Sequence, residues 1–116
     1  MKADFMQWKF LDIKLRQLLQ YIEGNLGMEF TITSLYRPGD KGVHGTLPVR
    51  GADIRCRVME VGFVVRDYIN EEWYYDPSRP SMKCAVAHGK GANFHIHLQV
   101  HPNTVFKALI ITDFKV

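Results

Sequence analysis

The sequence lacks any long run of apolar residues. No segment reaches the roughly 20 consecutive apolar residues that a membrane-spanning helix requires. The first residues, Met1 to Phe5, lead directly into mixed polar and apolar sequence, without the apolar stretch and small-residue cleavage site of a secretory signal peptide. We therefore expect a protein that does not span a membrane and that is synthesised in the cytoplasm.

Cysteine is scarce. Cys56 and Cys84 are the only two cysteines, and they lie far apart in the sequence. Zinc knuckles and thioredoxin-like redox pairs use a C-x-x-C spacing, which is absent here. We expect two buried free thiols.

Clusters of positive charge are also absent. The chain has 15 Lys and Arg against 12 Asp and Glu, a net charge of +3. The basic residues are scattered and are not interleaved with aromatic residues as they are on a nucleic-acid-binding surface, so we expect no nucleic-acid partner. A weak positive charge does favour association with an anionic polymer such as bacterial cell wall.

Core-forming residues, by contrast, are plentiful. Hydrophobic residues make up 47% of the 116 positions, which is ordinary for a globular protein. A chain of this length can bury one core without disulfides. We expect a single domain over residues 1–116, and a monomer.

The spacing of apolar residues predicts two helices. Apolar residues recur at three- and four-residue steps after Asp4, the predicted N-cap, up to Gly24 and Gly27, and a second helical pattern covers residues 57–70. Alternating or β-branched runs bounded by Gly and Pro predict six strands, at 29–34, 52–54, 73–76, 82–87, 95–100 and 105–112. This order predicts an α+β fold, a small antiparallel sheet with helices packed on one face.

Four of the five histidines fall between residues 88 and 101. Alternate residues of a strand point to the same face, so His95 and His97 should project together while Ile96 points into the core. Such a pair is either two solvated strand histidines or part of a metal site.

Two further metal donors, His44 and Asp53, lie upstream. A catalytic zinc site has three protein ligands and keeps a fourth position open. His44, Asp53 and His97 would complete such a set. Each residue also has an interpretation without a metal: His44 as a solvated loop histidine, and Asp53 as a turn residue or a helix N-cap.

Two segments resemble known proteins. Residues 34–54, SLYRPGDKGVHGTLPVRGADI, and residues 95–100, HIHLQV, together resemble the superfamily of zinc D-alanyl-D-alanine carboxypeptidases and phage L-alanoyl-D-glutamate endolysins. The amino-terminal domain of Hedgehog proteins is similar in fold and in its H-I-H strand. The resemblance implies a zinc site at the sheet whose ligands are His44, Asp53 and His97.

The resemblance also implies roles outside the metal ligands. Arg37 matches an arginine that binds substrate or stabilises the transition state, and Ser34 matches a serine ahead of the ligand motif, at the substrate site.

The chain departs from the superfamily pattern at two places. The segment between the first two ligands is two residues longer than in the superfamily motif, and Phe94 stands where many members have an acidic general base. Proton transfer needs a group with a pKa near the working pH, and an imidazole meets this condition without a large shift. His95 and His88 are therefore the candidate catalytic residues, in either order, with Asp76 as a weaker alternative.

The function implied is that of a zinc metallopeptidase, a carboxypeptidase or endopeptidase that acts on peptidoglycan peptides of the cell wall. The small size and the absence of a leader fit a phage or prophage enzyme, either for lysis or associated with the virion. The missing acid leaves a second interpretation open, a catalytically inactive, zinc-stabilised binding or assembly module of the same fold.

Overall fold

The first helix begins later than the sequence pattern predicts. The computed structural model describes residues 1–2, 7–35, 41–42 and 47–107, and in it α1 spans Ile13–Gly24, after a separate 3-10 turn at Trp8–Phe10. Asp12 is the N-cap, because its carboxylate accepts a hydrogen bond from the backbone N–H of Lys14 at 2.8 Å. The predicted start after Asp4 is wrong, since extended backbone interrupts the helical run; Asp4 itself lies outside the described residues.

The second helix, α2, spans Met59–Glu72 and is displaced by two residues from its predicted range. Its buried side follows helical spacing and consists of Gly62, Val65 and Ile69. The buried side of α1 does the same, with Leu15, Leu18, Leu19 and Ile22. Within the described ranges, neither these helices nor any other is long and apolar enough to cross a membrane.

Six short strands complete the fold: β1 (Ile32–Ser34), β2 (Gly51–Arg55), β3 (Trp73–Tyr74), β4 (Ala85–His88), β5 (His95–Gln99) and β6 (Val105–Phe106). Four of them form an antiparallel sheet in the order β1, β2, β5, β4, and β3 pairs with β6 in a separate ribbon. Each predicted strand is present, most of them shorter than predicted. The predicted strand 105–112 is seen to Phe106, and its residues from 108 onward lie outside the described part.

One face of the four-stranded sheet builds the core. Ala52 and Ile54 of β2 and Ile96 and Leu98 of β5 are 0% exposed, and they belong to one hydrophobic cluster with buried residues of α1 and α2. The intervening residues of these strands point to the opposite face, as a period of two requires. The predicted α+β fold, with a small antiparallel sheet and two helices, is confirmed.

Both cysteines are buried and free, as predicted. Cys84 is completely buried, and burial raises the pKa of its thiol to about 12. Because the thiolate is the reactive form, this cysteine is unreactive at neutral pH, and it contributes to the packing of the core.

Gly62 is expected to resist substitution. A Cβ at this position would lie 2.5 Å from Cε1 of Phe94 and 3.1 Å from Sγ of Cys56, and Phe94 is only 3% exposed, so its ring has little room to move. We expect Gly62→Ala to lower the free energy of unfolding by about 1–2 kcal/mol, despite the higher helix propensity of alanine.

Gly24→Ala is the matched control, because nothing lies within 4 Å of a Cβ added there. It should be neutral or stabilising by up to about 1 kcal/mol. Urea denaturation measures both variants, and an unchanged or increased stability for Gly62→Ala would contradict the tight packing.

Candidate functional site

Asp53 and His97 face one another across β2 and β5. They are Cα partners in the strand register, and Nδ1 of His97 lies 2.9 Å from Oδ1 of Asp53. The two side chains are 13% and 17% exposed, so the contact is largely shielded from water and its electrostatic interaction is stronger than in bulk solvent. Since a carboxylate only accepts, Nδ1–H of His97 donates to Asp53 when no cation lies between them.

Gln99 lies on the other side of the His97 ring. Its Nε2 donates to the backbone carbonyl of Lys83 at 2.8 Å, and its Oε1 lies 3.3 Å from Nε2 of His97. Both ring nitrogens of His97 therefore face oxygen atoms. A neutral imidazole carries one N–H, so the ring donates either from Nδ1 to Asp53 or from Nε2 to Gln99. With a cation on Nδ1, the proton would lie on Nε2 and Gln99 would accept it, as outer partners do around metal-binding histidines.

The donor atoms of Asp53 and His97 fit a zinc ion. Zinc binds imidazole nitrogen and carboxylate oxygen at about 2.0–2.2 Å, so two ligands of one tetrahedral ion lie about 3.4 Å apart. Nδ1 and Oδ1 are 2.9 Å apart, and would separate by only about half an ångström to hold the ion. These two residues can therefore act as two of three zinc ligands.

The third ligand implied by the resemblance, His44, lies outside the described residues, and so does Arg37. Among the residues that the structure does describe, no three His, Cys, Asp or Glu side chains form a group that could hold a metal. The described residues thus provide two members of the predicted ligand set.

His95 lies on the same face as His97, two residues earlier in β5. Its Nδ1 is 3.0 Å from the backbone oxygen of Asn93. Because a carbonyl only accepts, Nδ1 carries a proton and donates it. The Nε2 of the neutral ring is then unprotonated, and its lone pair can accept a proton.

His88 brings a third imidazole to this face. It is the Cα partner of His95 in the β4–β5 hairpin, and the two rings stack with their centroids 5.6 Å apart and their planes at 19°. The ring of His97 lies 6.1 Å from that of His88, edge to face. The hairpin turns through Gly89 and Gly91, whose φ angles of 81° and 57° lie in the region that favours glycine.

Ser34 lies beside Asp53 on the outer side of β2. The two residues are Cα partners in the β1–β2 register, and antiparallel partners share a face of the sheet. The hydroxyl of Thr33 donates to the backbone oxygen of Asp53 at 3.3 Å, which ties the strands together at this point. We call the surface formed by Ser34, Asp53, His88, His95 and His97 the histidine face.

Phe94, at the position of the superfamily acid, belongs to the core. It is 3% exposed and packs edge to face against Phe63, with the ring centroids 5.4 Å apart. An acidic side chain in this orientation would be buried among apolar groups. Phe94 therefore contributes no acidic group to the histidine face, whose imidazoles are groups that can exchange protons.

Asp76 lies away from the histidine face, in the turn after β3. It accepts hydrogen bonds from the Ser78 hydroxyl at 2.7 Å, from the Ser78 backbone N–H at 3.0 Å and from Nε of Arg79 at 3.0 Å. These bonds, that of the Ser78 hydroxyl above all, hold the pKa of the Asp76 carboxyl well below its usual range. Such a carboxylate is a poor base at neutral pH, and its contacts assign it to holding the turn.

Sequence reasoning missed two residues that share the strand positions of the histidine face. Gln99 follows His97 by two residues, and Arg55 follows Asp53 by two residues and is the Cα partner of His95. The period of two that joined His95 to His97 would have identified both.

No family model, no curated protein and no solved structure matches this chain. What the protein does must therefore be inferred from the chemistry of the histidine face and from the two segments that carry the resemblance.

Because of the contacts of Asp76, we expect the stability of the fold to decrease as the pH falls into the acidic range. A carboxyl whose pKa is lower in the folded chain than its ordinary value of 3.8 stabilises the fold above about pH 4, and this contribution is lost as the pH falls toward the folded-state pKa. We expect Asp76→Asn to be less stable than the wild type at neutral pH, and the difference to shrink below about pH 4.

Urea denaturation of both proteins between neutral pH and about pH 3 measures this difference. Asp67→Asn is the control, because its carboxylate is 62% exposed beside Arg66 and surface ion pairs contribute little. A stability gap for Asp76→Asn that stays constant down to the lowest pH would contradict the assignment.

Proposed function

We propose that this protein is a zinc-dependent peptidase that hydrolyses amide bonds in peptidoglycan peptides, with His44, Asp53 and His97 as the zinc ligands. The observation that carries the proposal is the 2.9 Å contact between Asp53 and His97, on a face that holds two more imidazoles. The resemblance of residues 34–54 and 95–100 to zinc carboxypeptidases and endolysins supports the cell-wall substrate. It also supports a role in phage or prophage lysis, or as part of a virion.

Zinc held by His44, Asp53 and His97 would act as a Lewis acid toward the scissile carbonyl and would lower the pKa of a water molecule. The remaining tasks fall to the chain itself. Asp53 and His97 bind the ion, and Gln99 keeps the His97 ring in position through its contact at 3.3 Å. Ser34, beside Asp53, and Arg37 bind the substrate.

We assign proton transfer to His95. Hydrolysis requires a base that takes a proton from the attacking water and an acid that delivers one to the leaving amine. The Nε2 of His95 can do both in turn, because Nδ1 is committed to the Asn93 carbonyl and an imidazole exchanges protons near neutral pH. His88, stacked on His95, supports the position of that ring.

Zinc binding is the first test. We expect the protein to bind one zinc ion per chain, and zinc at a hundred times its Kd to increase the free energy of unfolding by about 2.7 kcal/mol. His97→Ala, Asp53→Asn and His44→Ala should each weaken binding sharply. His101→Ala is the control, because that ring lies beside Tyr75 and Asp76, away from the histidine face.

Calorimetric titration and elemental analysis measure the affinity and the stoichiometry. Zinc affinity of His97→Ala equal to that of the wild type would overturn the ligand assignment, as would a wild-type protein that takes up no zinc after reconstitution.

Turnover is the second test. We expect His95→Gln to lower the rate of hydrolysis by about a hundredfold to ten-thousandfold, the usual contribution of a positioned acid or base, while zinc binding is retained. His88→Gln should have a smaller effect, because the ring of His88 acts through His95. Asp76→Asn, assayed at neutral pH under conditions where it remains folded, should keep its activity.

The assay follows newly exposed amines in purified peptidoglycan of several cross-link chemistries. Full activity in His95→Gln would rule out the assigned role, and a larger loss in His88→Gln would transfer that role to His88.

The second candidate function is a catalytically inactive, zinc-stabilised binding or assembly module. It is favoured by Phe94, whose burial in the core leaves the superfamily's acid without a counterpart. Full zinc occupancy without hydrolysis of any tested cell wall would support this module over the enzyme.

A further inference from the structure

We propose that Arg55 and Arg57 form a subsite for a carboxylate of the bound peptide, at the end of β2 next to the histidine face. The identity of the peptide rests on the proposed function, whereas the subsite itself is defined by a cleft and two cations and can be tested by binding alone.

The cleft lies where β2 ends. It has a volume of about 420 Å³ and is lined by Arg55, Cys56, Arg57, Gly91, Ala92 and Phe94. Cys56 and Phe94 are buried, at 5% and 3% exposure, and form an apolar floor. The two arginines are exposed at its rim. Two guanidinium groups at the rim of a cleft can bind and orient a small anionic ligand.

Within the described residues, no acidic side chain neutralises either arginine. In the described part of the chain neither guanidinium forms an ion pair. An adjoining cavity of about 290 Å³ also contains both arginines and one acid, Glu29. The Glu29 carboxylate is 90% exposed and lies 3.9 Å from the amino terminus, so it has a cation of its own.

The subsite lies within reach of the proposed reaction centre. Arg55 is two residues from Asp53 and opposite His95, which corresponds to about 7 Å along the strand. A peptide in extended conformation covers this distance in about two residues. Arginine binds carboxylates through two parallel hydrogen bonds, which gives both attraction and orientation.

The ligand chemistry is therefore a peptide carboxylate about two residues from the scissile amide. A lysine-containing peptidoglycan stem peptide offers two such groups, the α-carboxylate of its γ-linked glutamate and its terminal carboxylate. The arms of the test separate these sources.

The probes are three forms of the stem pentapeptide L-Ala-γ-D-Glu-L-Lys-D-Ala-D-Ala: with both carboxylates free, with the glutamate carboxylate amidated, and with the terminus amidated. Equilibrium binding to the zinc-reconstituted protein is measured by calorimetry or NMR. We expect one of the two amidations to weaken binding about tenfold in the wild type, the size of effect of losing an exposed charge-assisted contact. In Arg55→Gln that discrimination should fall to nearly one, and in Arg57→Gln it should be reduced.

Arg66→Gln is the matched control, because it removes the same charge from a surface arginine that is paired with Asp67 on α2. Its discrimination should equal that of the wild type, and thermal unfolding establishes that each variant is folded. Arg55→Lys should keep part of the discrimination, since charge remains but the paired geometry is lost.

The failure of the subsite differs from the failure of the proposed function. If folded Arg55→Gln retains the wild-type discrimination, or if neither amidation affects wild-type binding, the subsite is wrong even when the peptide is hydrolysed. If the peptides bind with Arg55-dependent discrimination but are never hydrolysed, the subsite stands and the proposed peptidase activity fails.

Discussion

The pairing of β2 with β5 is the constraint on which the rest of the molecule depends. One register places Ala52 opposite Leu98 and Ile54 opposite Ile96 in the core, and it places Asp53 opposite His97 on the other face. The four apolar residues are 0% exposed, and their burial provides the free energy that holds the register. The packing of the core thus also fixes the positions of Asp53 and His97, whose partly shielded side-chain atoms lie 2.9 Å apart.

The spacing of apolar and polar residues correctly predicted the features that depend on a single strand or helix. The alternation around Ile96 correctly placed His95 and His97 on one face, and helical spacing found the buried sides of α1 and α2. The predicted start of α1 was wrong, because Trp8, in the 3-10 turn, and Leu11, directly after it, are three residues apart, a spacing that an α-helix also shows. The extended backbone at Leu11 and Asp12, together with the hydrogen bond of the Asp12 cap, separates the two.

Features that depend on contacts between individual atoms could not be predicted from residue spacing. The contact of Gln99 with His97 requires the amide to be turned by the Lys83 carbonyl, which lies in another part of the chain. The tautomer of His95 depends on the contact of its Nδ1 with the Asn93 carbonyl, a side-chain geometry that residue spacing does not specify. Periodicity says which residues share a face, but it does not say which of their atoms carry protons.

The interleaving of core and site residues in β2 and β5 limits how the length of this chain can change during evolution. Inserting or deleting one residue within either strand would move every following side chain of that strand to the opposite face of the sheet. Apolar side chains would then be exposed, and the polar side chains of the histidine face would be buried. Changes of length are tolerated where no such alternation exists. By the resemblance, the step from His44 to Asp53 is two residues longer than in the superfamily motif, and extra residues leave the count within β2 unchanged only if they lie ahead of Gly51, where β2 begins. Natural variation in length among relatives of this protein should therefore accumulate in the segment before β2, while β2 and β5 keep a constant number of residues.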